Sequence, residues 1–291
     1  MQADYARQYR TLWERHWWWR SREAHVLSWI KRLKRKEPAH WRILDVGCGD
    51  GLFFESLSRF GEVEGIEPDP SLVNNPRWRD RIHVARIDQD SASLRTGNYN
   101  LVLMLDVLEH IDDERAALRA LYRSLRPGGR LLLTVPALSC LWSRHDEVNA
   151  HFRRYDPVTL RSLLVENGFQ VESLRFFFGW TVLPLLVRRW LSPAGRRVKG
   201  DHAVGIPPAI LNRFLTLAST CEHALGRFIP LPLGSSLLAV VRKADLSDLR
   251  FLNYCRQLPT AMLEEPHPDC PVPPSDRHVP MLPLSHQWER S

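Results

Sequence analysis

The sequence predicts an α/β protein in which helices cover both faces of a mostly parallel sheet. Two observations lead to this fold class. Short apolar runs of strand length alternate with helical patterns between residues 42 and 137, and such alternation is typical of parallel sheets. The first run also enters a turn of alternating glycines at Gly47, Gly49 and Gly51. Glycine lets the backbone adopt a positive φ and approach a ligand closely, so this turn predicts a binding site at the carboxyl end of the strand.

The elements follow one another in a regular order. Residues 3–35 are predicted to form one helix, because aromatic and apolar residues recur on one stripe from Tyr5 through Leu12 to Leu33. Five strands are then predicted over 42–47, 63–67, 83–88, 99–105 and 130–135, with helices over 52–60 and 112–125. A helix over 156–167, capped by Asp156 and ended by Gly168, precedes two further strands over 170–178 and 235–243.

Two segments depart from this alternation. Residues 179–234 are too long for a hairpin loop and are predicted to form a helical cap, with an apolar helix over 209–225. Residues 246–291 contain eight prolines between Pro259 and Pro283, and this composition predicts a tail without a packed core. The predicted organisation is therefore a basic aromatic helix over 1–36, a main domain over 37–245, and a proline-rich tail.

The net charge of +7 is concentrated at one end of the chain. Residues 1–36 contain 10 Lys and Arg against 3 Asp and Glu, so the first helix carries all of the excess charge. A local basic patch indicates an anionic partner such as a phospholipid, a phosphorylated substrate or a nucleic acid, or else a solvated arginine-rich helix face.

Cysteine spacing and hydropathy bear on the compartment. The five cysteines form no C-x-x-C pair, so neither a zinc ribbon nor a disulfide framework is predicted. The N-terminus lacks the apolar stretch of a signal peptide, and the apolar run over 176–187 is too short to span a bilayer. We therefore expect a cytoplasmic protein, with contact to a membrane surface as an additional expectation from its basic aromatic helix.

The strongest motif is the stretch 43–51, which reads Ile-Leu-Asp-Val-Gly-Cys-Gly-Asp-Gly. Glu67 ends the second strand twenty residues after Gly47, where an acid can accept two ribose hydroxyls. A dinucleotide fingerprint would require glycine at position 52, and Leu52 stands there. This spacing disfavours an NAD-dependent dehydrogenase.

Four stretches together resemble the class I S-adenosylmethionine (SAM)-dependent methyltransferases. They are Leu-Asp-Val-Gly-Cys-Gly-Asp-Gly over 44–51, Glu-Gly-Ile-Glu-Pro over 64–68, the fourth strand with Asp-Val-Leu-Glu-His over 106–110, and Leu-Arg-Pro-Gly-Gly-Arg-Leu over 125–131. The resemblance covers residues 40–178 and 235–243. It implies a three-layer, Rossmann-like αβα fold with a seven-stranded sheet whose last strand is antiparallel.

The resemblance also implies SAM as the cofactor and assigns residues to it. Asp45 and Gly47 would hold the methionine end, Gly49 would allow close packing against the ligand, and Cys48 lies between them in the same site. Glu67 would bind the ribose.

Further cofactor contacts are implied on the next two strands. Asp90 matches the acidic position near the adenine, with Asp88 as the alternative because the alignment of the third strand is loose by two residues. Leu105 and Asp106 would lie beside the sulfonium.

Histidines and a glutamate after the fourth and fifth strands are candidates for the chemistry. Transfer to a neutral hydroxyl needs a general base, for which Glu109, His110, His145 and His151 are the candidates. The block that contains His145, Arg153, Arg154 and Tyr155 resembles an acceptor-pocket stretch of bacterial small-molecule and lipid-carrier methyltransferases. Its arginines would pair with a phosphate or carboxylate of the substrate, or else are ordinary surface arginines.

The segment 106–110 also resembles the E-x-x-E-H element of the ubiquinone-biosynthesis O-methyltransferases and the small-RNA 2′-O-methyltransferases. In those proteins a metal orients the acceptor oxygens. Asp106 replaces the first glutamate here and has a shorter reach. We therefore predict no bound metal, and keep a metal-dependent RNA 2′-O-methyltransferase using Asp106, Glu109 and His110 as the alternative.

The expected function is methyl transfer from SAM to oxygen or nitrogen of a small-molecule or lipid-linked acceptor. The cap and the basic helix together favour an anionic acceptor. DNA and RNA are disfavoured because the sequence contains no recognisable RNA-binding module and no Asn/Asp-Pro-Pro-aromatic motif after the fourth strand. A binding protein that kept the fold without catalysis is a further alternative.

Overall fold

A computed structural model describes residues 10–37, 40–87, 96–191, 205–226 and 228–244. All of them belong to the unit Met1–Leu246. The proline-rich tail and the predicted helix residues 3–9 lie outside this range. Among the helices that the structure describes, none combines the length and the apolar character needed to cross a membrane.

Seven strands form a single sheet. They are β1 (Trp41–Val46), β2 (Gly61–Glu67), β3 (Ile82–Val84), β4 (Tyr99–Leu105), β5 (Leu125–Pro136), β6 (Phe169–Phe177) and β7 (Ser236–Lys243). Their spatial order is β3-β2-β1-β4-β5-β7-β6. β1 pairs in parallel with both β2 and β4, and β7 pairs antiparallel with both β5 and β6. This topology confirms the predicted fold class.

Helices cover the sheet. They are α1 (Trp17–Lys36), α2 (Phe54–Leu57), α3 (Glu114–Ser124), α4 (Arg144–Val148), α5 (Pro157–Glu166), α6 (Val182–Leu191) and α7 (Ala209–Leu225). Two apolar clusters separate the layers. One joins α3 and α5 to strand residues such as Leu44, and the other joins α1 to strand residues such as Ile43. Successive side chains of a strand point to opposite faces, so the strands other than β3 contribute to both clusters.

The predicted first helix is interrupted at His16. Residues 10–15 are helical, and α1 begins anew at Trp17. The His16 side chain accepts a hydrogen bond from the backbone N–H of Trp18, which makes it the N-cap of α1. Burial lowers the pKa of His16 to about 4, so the ring is neutral and can accept that bond at neutral pH. One continuous helix over 3–35 was therefore the wrong prediction.

Other boundaries differ from prediction where glycines and turns intervene. The helix predicted over 52–60 forms only as α2, because the glycine-rich turn continues through Phe53. The strand predicted over 83–88 forms as β3, which begins at Ile82 and ends at Val84, and residue 88 lies outside the described residues. β5 is longer than predicted, because it begins at Leu125 and includes the Pro-Gly-Gly segment that was predicted to be a turn. Its pairing with β4 shifts register between Tyr99 and Leu101. The cap of α5 is as predicted: Asp156 forms a capping box with Thr159.

Candidate active site

The glycine turn after β1 lies at the carboxyl edge of the sheet. Gly47 and Gly49 have φ values of +72° and +55°, and the N–H of Gly47 donates to the Ile66 carbonyl at 2.8 Å. A Cβ added to Gly47 would lie 2.4 Å from a methyl group of Val107, whereas one added to Gly49 would meet nothing within 4 Å. Val107 therefore packs closely against the turn at Gly47, whereas the turn faces open space at Gly49.

Two buried carboxylates flank this turn. The Glu67 carboxylate accepts from the backbone N–H of Gly49 at 2.9 Å and from that of Asp69 at 3.0 Å. Burial raises the pKa of Glu67, and burial together with the charge of Glu67 raises the pKa of Asp45 to about 7. Each carboxylate oxygen retains acceptor capacity, so both groups are available to a cationic or hydroxyl-bearing ligand.

Arg22 of α1 is part of the site, although the sequence analysis did not assign it. Its guanidinium is buried, pairs with the Asp106 carboxylate and stacks 4.8 Å from the ring of Trp18. It also lies close enough to Asp45 to lower the pKa of that carboxyl. A signal was present: Arg22 falls on the stripe of α1 that Val26 and Ile30 continue into the core.

The remaining cofactor candidates lie around this edge. Leu105 ends β4, and Asp106 follows it with a φ of +55° while its N–H donates to the Thr134 carbonyl at 2.9 Å. Burial raises the pKa of the Cys48 thiol, so this side chain acts as a small apolar group and not as a nucleophile. Asp88 and Asp90 lie outside the described residues.

Three titratable side chains lie close together near the segment that follows β4. One ligand atom from each of Glu109, His110 and His151 lies within 4.8 Å of the others, and the two imidazoles make a T-shaped contact at 4.6 Å. Glu109 is fully buried, and neither of its carboxylate oxygens has a hydrogen-bond partner among the described residues. Burial, reinforced by Asp106, raises the pKa of Glu109 well above its usual value, and burial lowers that of His110 to about 4.

Asp146 orients one member of this cluster. His151 Nδ1 donates to Asp146 Oδ1 at 2.9 Å, and the same oxygen accepts from Arg154 Nε at 2.8 Å. Burial alone would raise the pKa of Asp146, but the hydrogen bonds from His151 and Arg154 hold it below its usual range. With Nδ1 protonated toward this anion, Nε2 of His151 carries the lone pair. Asp146 is thus a positioning residue that the sequence analysis left unassigned.

The predicted substrate residues have protein partners. Arg154 donates to the Ala137 carbonyl as well as to Asp146. Arg153 pairs with Glu114 at 2.8 Å. Tyr155 is buried and donates to the same glutamate at 2.7 Å. His145 is exposed beside Asn149. These contacts hold residues 151–155 against the end of β5, and they give both arginines a local role that the sequence pattern did not reveal.

The chemistry of this edge fits SAM. This edge of the sheet is rich in carboxyl side chains, which come from Asp45, Glu67, Asp106 and Glu109. The positively charged Arg22 lies close to three of them, Asp45, Asp106 and Glu109. SAM is a sulfonium that also carries an ammonium, a carboxylate and a ribose. Buried acids suit its two cations and its hydroxyls, and the open space at Gly49 admits its body.

A family model described as a methyltransferase domain matches residues 18–174, which run from α1 into β6. Together with the fold and the carboxyl-edge site, this match defines a class I SAM-dependent methyltransferase. The chain belongs to that methyltransferase-domain family. The matched range begins inside α1, so the family domain includes the helix that carries Arg22.

Individual relatives agree with this assignment. A ubiquinone biosynthesis O-methyltransferase of Xanthomonas axonopodis pv. citri is 36% identical over 160 residues, which are 48% of this chain and 67% of that protein. A namesake from Xanthomonas oryzae pv. oryzae is 38% identical over 107 residues, 34% of this chain and 45% of that protein. The matches therefore span about two thirds of one relative and less than half of the other.

A solved structure shares the fold. It is a Haloferax volcanii complex between the Trm112 methyltransferase activator and a methyltransferase, with a TM-score of 0.52 at 17% identity. The match covers 83% of this chain and 95% of that chain. At this identity the likeness concerns the architecture alone.

Proposed function

We propose that this methyltransferase acts on a hydroxyl oxygen of a small-molecule acceptor that binds beside Glu109, His110 and His151. The observation that carries the proposal is the hydrogen bond from His151 to the buried Asp146 anion, in a cluster where ligand atoms of His151, His110 and Glu109 lie within 4.8 Å of one another. Nitrogen acceptors need no base when they are neutral amines, whereas a hydroxyl of high pKa does. The O-methyltransferase names of the relatives point in the same direction.

Each residue of the cluster has a distinct part in this reaction. When bound, SAM supplies an electrophilic methyl group on its sulfonium. His151 takes the hydroxyl proton at Nε2, and Asp146 stabilises the imidazolium that results. His110 stays neutral at working pH and can accept or donate one hydrogen bond to the acceptor. Burial favours the neutral form of Glu109, which can donate a hydrogen bond to the acceptor. The protein otherwise contributes proximity and alignment for an in-line displacement.

Cofactor affinity is expected to depend on pH through Asp45. Burial raises the pKa of Asp45 to about 7. The resemblance to the class I methyltransferases assigns Asp45 to the methionine end of the cofactor, whose ammonium requires the ionised carboxylate. The carboxyl is mostly protonated at about pH 6 and mostly ionised at about pH 8, so S-adenosylhomocysteine should bind about tenfold more tightly at the higher pH. Calorimetry across this range measures the effect.

Asp45→Asn is the control for that titration. It should bind the cofactor weakly with a flat profile, because the amide cannot ionise. A wild-type affinity that does not change between these pH values would contradict the assignment of Asp45 to the ammonium.

A metal-assisted form of the reaction is a second candidate. Glu109, His110 and His151 present one carboxylate and two imidazole ligands suited to a divalent cation, and a metal would give the buried carboxylate of Glu109 the partner that it lacks among the described residues. Two observations favour the metal-free form. Asp106, which replaces the first glutamate of the motif, pairs with Arg22 instead, and burial raises the pKa of Glu109, which disfavours the ionised carboxylate that a metal needs.

Labelled-methyl transfer into cell extracts tests the acceptor class. The purified protein and methyl-labelled SAM would be incubated with an extract of cells that lack the protein, and the products separated into organic-soluble, RNA and protein fractions. We expect the label in organic-soluble molecules, as an O-methyl group identified by NMR. Label confined to RNA would overturn the proposal in favour of 2′-O-methylation, and an N-methyl product would overturn the choice of oxygen.

A further inference from the structure

Helix α7 of the cap turns its apolar side outward. Ile210 and Phe214 are 86% and 64% exposed, and Leu217 and Leu225 are also exposed. These residues follow helical spacing and so form one stripe along α7. The surface continues past the helix end with Phe228 and Ile229, both exposed as well.

The opposite side of α7 is polar and faces the protein. Asn212 accepts from the backbone N–H of Trp17 at 2.9 Å and donates to the Arg15 carbonyl at 2.8 Å. Further along, Glu222 accepts from the N–H of Trp180 at 3.0 Å. A helix of a soluble domain normally buries its apolar stripe. Here the hydrogen bonds of Asn212 and Glu222 hold the polar side of α7 against the protein. The apolar stripe of the helix is therefore held facing outward.

A basic groove adjoins this apolar surface. It has a volume of about 570 Å³ and runs between α1, β6 and the end of α7, where Pro230 and Leu231 also line it. Its cations are Lys31, Arg32, Lys34, Arg35 and Arg175, and its walls include the aromatic rings of Trp29, Phe60 and Phe176. Among the residues lining it, Glu222 is the single acid, and that carboxylate is bound to Trp180.

We propose that the exposed apolar side chains of α7, together with Phe228, Ile229 and the basic groove, form a docking surface for an anionic phospholipid membrane. The exposed stripe would enter the interfacial region of the bilayer, and Lys31, Arg32 and Arg35 would receive lipid phosphates. Charge complementarity selects this occupant. Apolar side chains bordered by cations suit an anionic interface, whereas a second copy of this chain would bring the same cations against one another.

Vesicle flotation with paired variants tests the surface. The full chain should float with vesicles of phosphatidylcholine and phosphatidylglycerol and much less with vesicles of phosphatidylcholine alone. Phe214→Gln with Leu217→Gln should weaken binding by at least about tenfold, since both side chains lose their apolar insertion while glutamine keeps the helix propensity. The matched control is Val158→Gln with Val165→Gln on α5, where both valines are exposed.

A second pair of variants tests the charge. Lys31→Glu with Arg35→Glu should abolish the preference for phosphatidylglycerol. Arg119→Glu with Arg123→Glu makes the same charge change at exposed positions of α3 and should leave most of the binding. Inorganic phosphate is the third arm, and at millimolar concentration it should compete only weakly with vesicles.

The outcomes separate the membrane from other occupants. Unchanged flotation of Phe214→Gln with Leu217→Gln, or an equal loss in the α5 control, would overturn the proposal. Tight binding of inorganic phosphate without flotation would show an anion site only. A dimer in sedimentation that dissociates in the α7 variant, again without flotation, would assign the surface to a second copy. None of these readouts depends on methyl transfer, so they are independent of the proposed function.

Discussion

Replacing His151 with alanine is expected to lower kcat by about 10²- to 10⁴-fold, the usual contribution of a positioned general base. The hydrogen bond from Nδ1 to Asp146 fixes the ring and leaves Nε2 as the proton acceptor, and alanine removes that acceptor. The Kd of S-adenosylhomocysteine should stay within about threefold of wild type, because His151 is not among the residues assigned to the cofactor. Single-turnover transfer to the identified acceptor measures the chemical step.

Three comparisons make this result specific to base catalysis. The defect of His151→Ala should shrink as pH rises, because an acceptor that ionises by itself no longer needs the histidine. Asp146→Asn should cause a smaller loss of kcat by disturbing the ring orientation. His83→Ala, an exposed histidine on β3, should have no effect. A His151→Ala enzyme that keeps its kcat within about threefold of wild type would contradict the role of His151.

Chelation separates the base from the metal-assisted form in the same assay. Wild-type activity should survive complete removal of divalent cations. If activity is lost and returns on addition of one metal, then Glu109, His110 and His151 are ligands, and the metal-free mechanism is wrong.

The sheet and its glycine turn follow from the sequence because their signals are local. Apolar runs bounded by glycine and proline mark the strands, and the stretch 43–51 contains both the strand and the turn that begins the site. The carboxyl ends of β1, β2 and β4 then meet at one edge, which brings Asp45, Glu67 and Asp106 together. No long-range information is needed for this part of the site.

The support around the site depends on contacts distant in the chain. Arg22 meets Asp106, 84 residues away, and the N–H of Phe152 donates to the Glu109 carbonyl at 2.8 Å. Local periodicity cannot specify such pairs. It can identify a charged residue within an apolar stripe, as at Arg22, or a histidine that interrupts one, as at His16. In both cases the irregular residue has a structural task.

The basic residues of the first helix lie in two separate regions of the structure. Near its beginning, Arg22 is buried at the cofactor edge, whereas Lys31, Arg32 and Arg35 line the groove beside the cap. The sequence analysis considered the basic helix as one patch on the acceptor side. A helix of 20 residues spans about 30 Å, so its two ends lie at different surfaces.

Alanine at Gly49 is expected to spare the fold and weaken cofactor binding. A Cβ there meets nothing within 4 Å, so the folding cost is the positive φ alone, about 1 kcal/mol. The new methyl group would occupy the open space in front of Gly49, where we expect the cofactor to bind. We expect the affinity for S-adenosylhomocysteine to fall by about 10- to 100-fold, with thermal unfolding reporting the intact fold and calorimetry the loss of binding.

Gly47→Ala is the matched comparison for Gly49→Ala, and its main expected effect is a loss of stability. Its Cβ would lie 2.4 Å from a methyl group of Val107, so the strain of a positive φ is joined by a steric conflict within the protein, and the unfolding temperature should fall clearly below that of Gly49→Ala. Adding Val107→Ala to Gly47→Ala should recover part of the stability by removing the conflicting methyl groups. Val107→Ala cannot restore binding to Gly49→Ala, because there the new methyl group conflicts with the ligand. If Gly49→Ala binds the cofactor as wild type does, the open space in front of Gly49 is not where the cofactor lies.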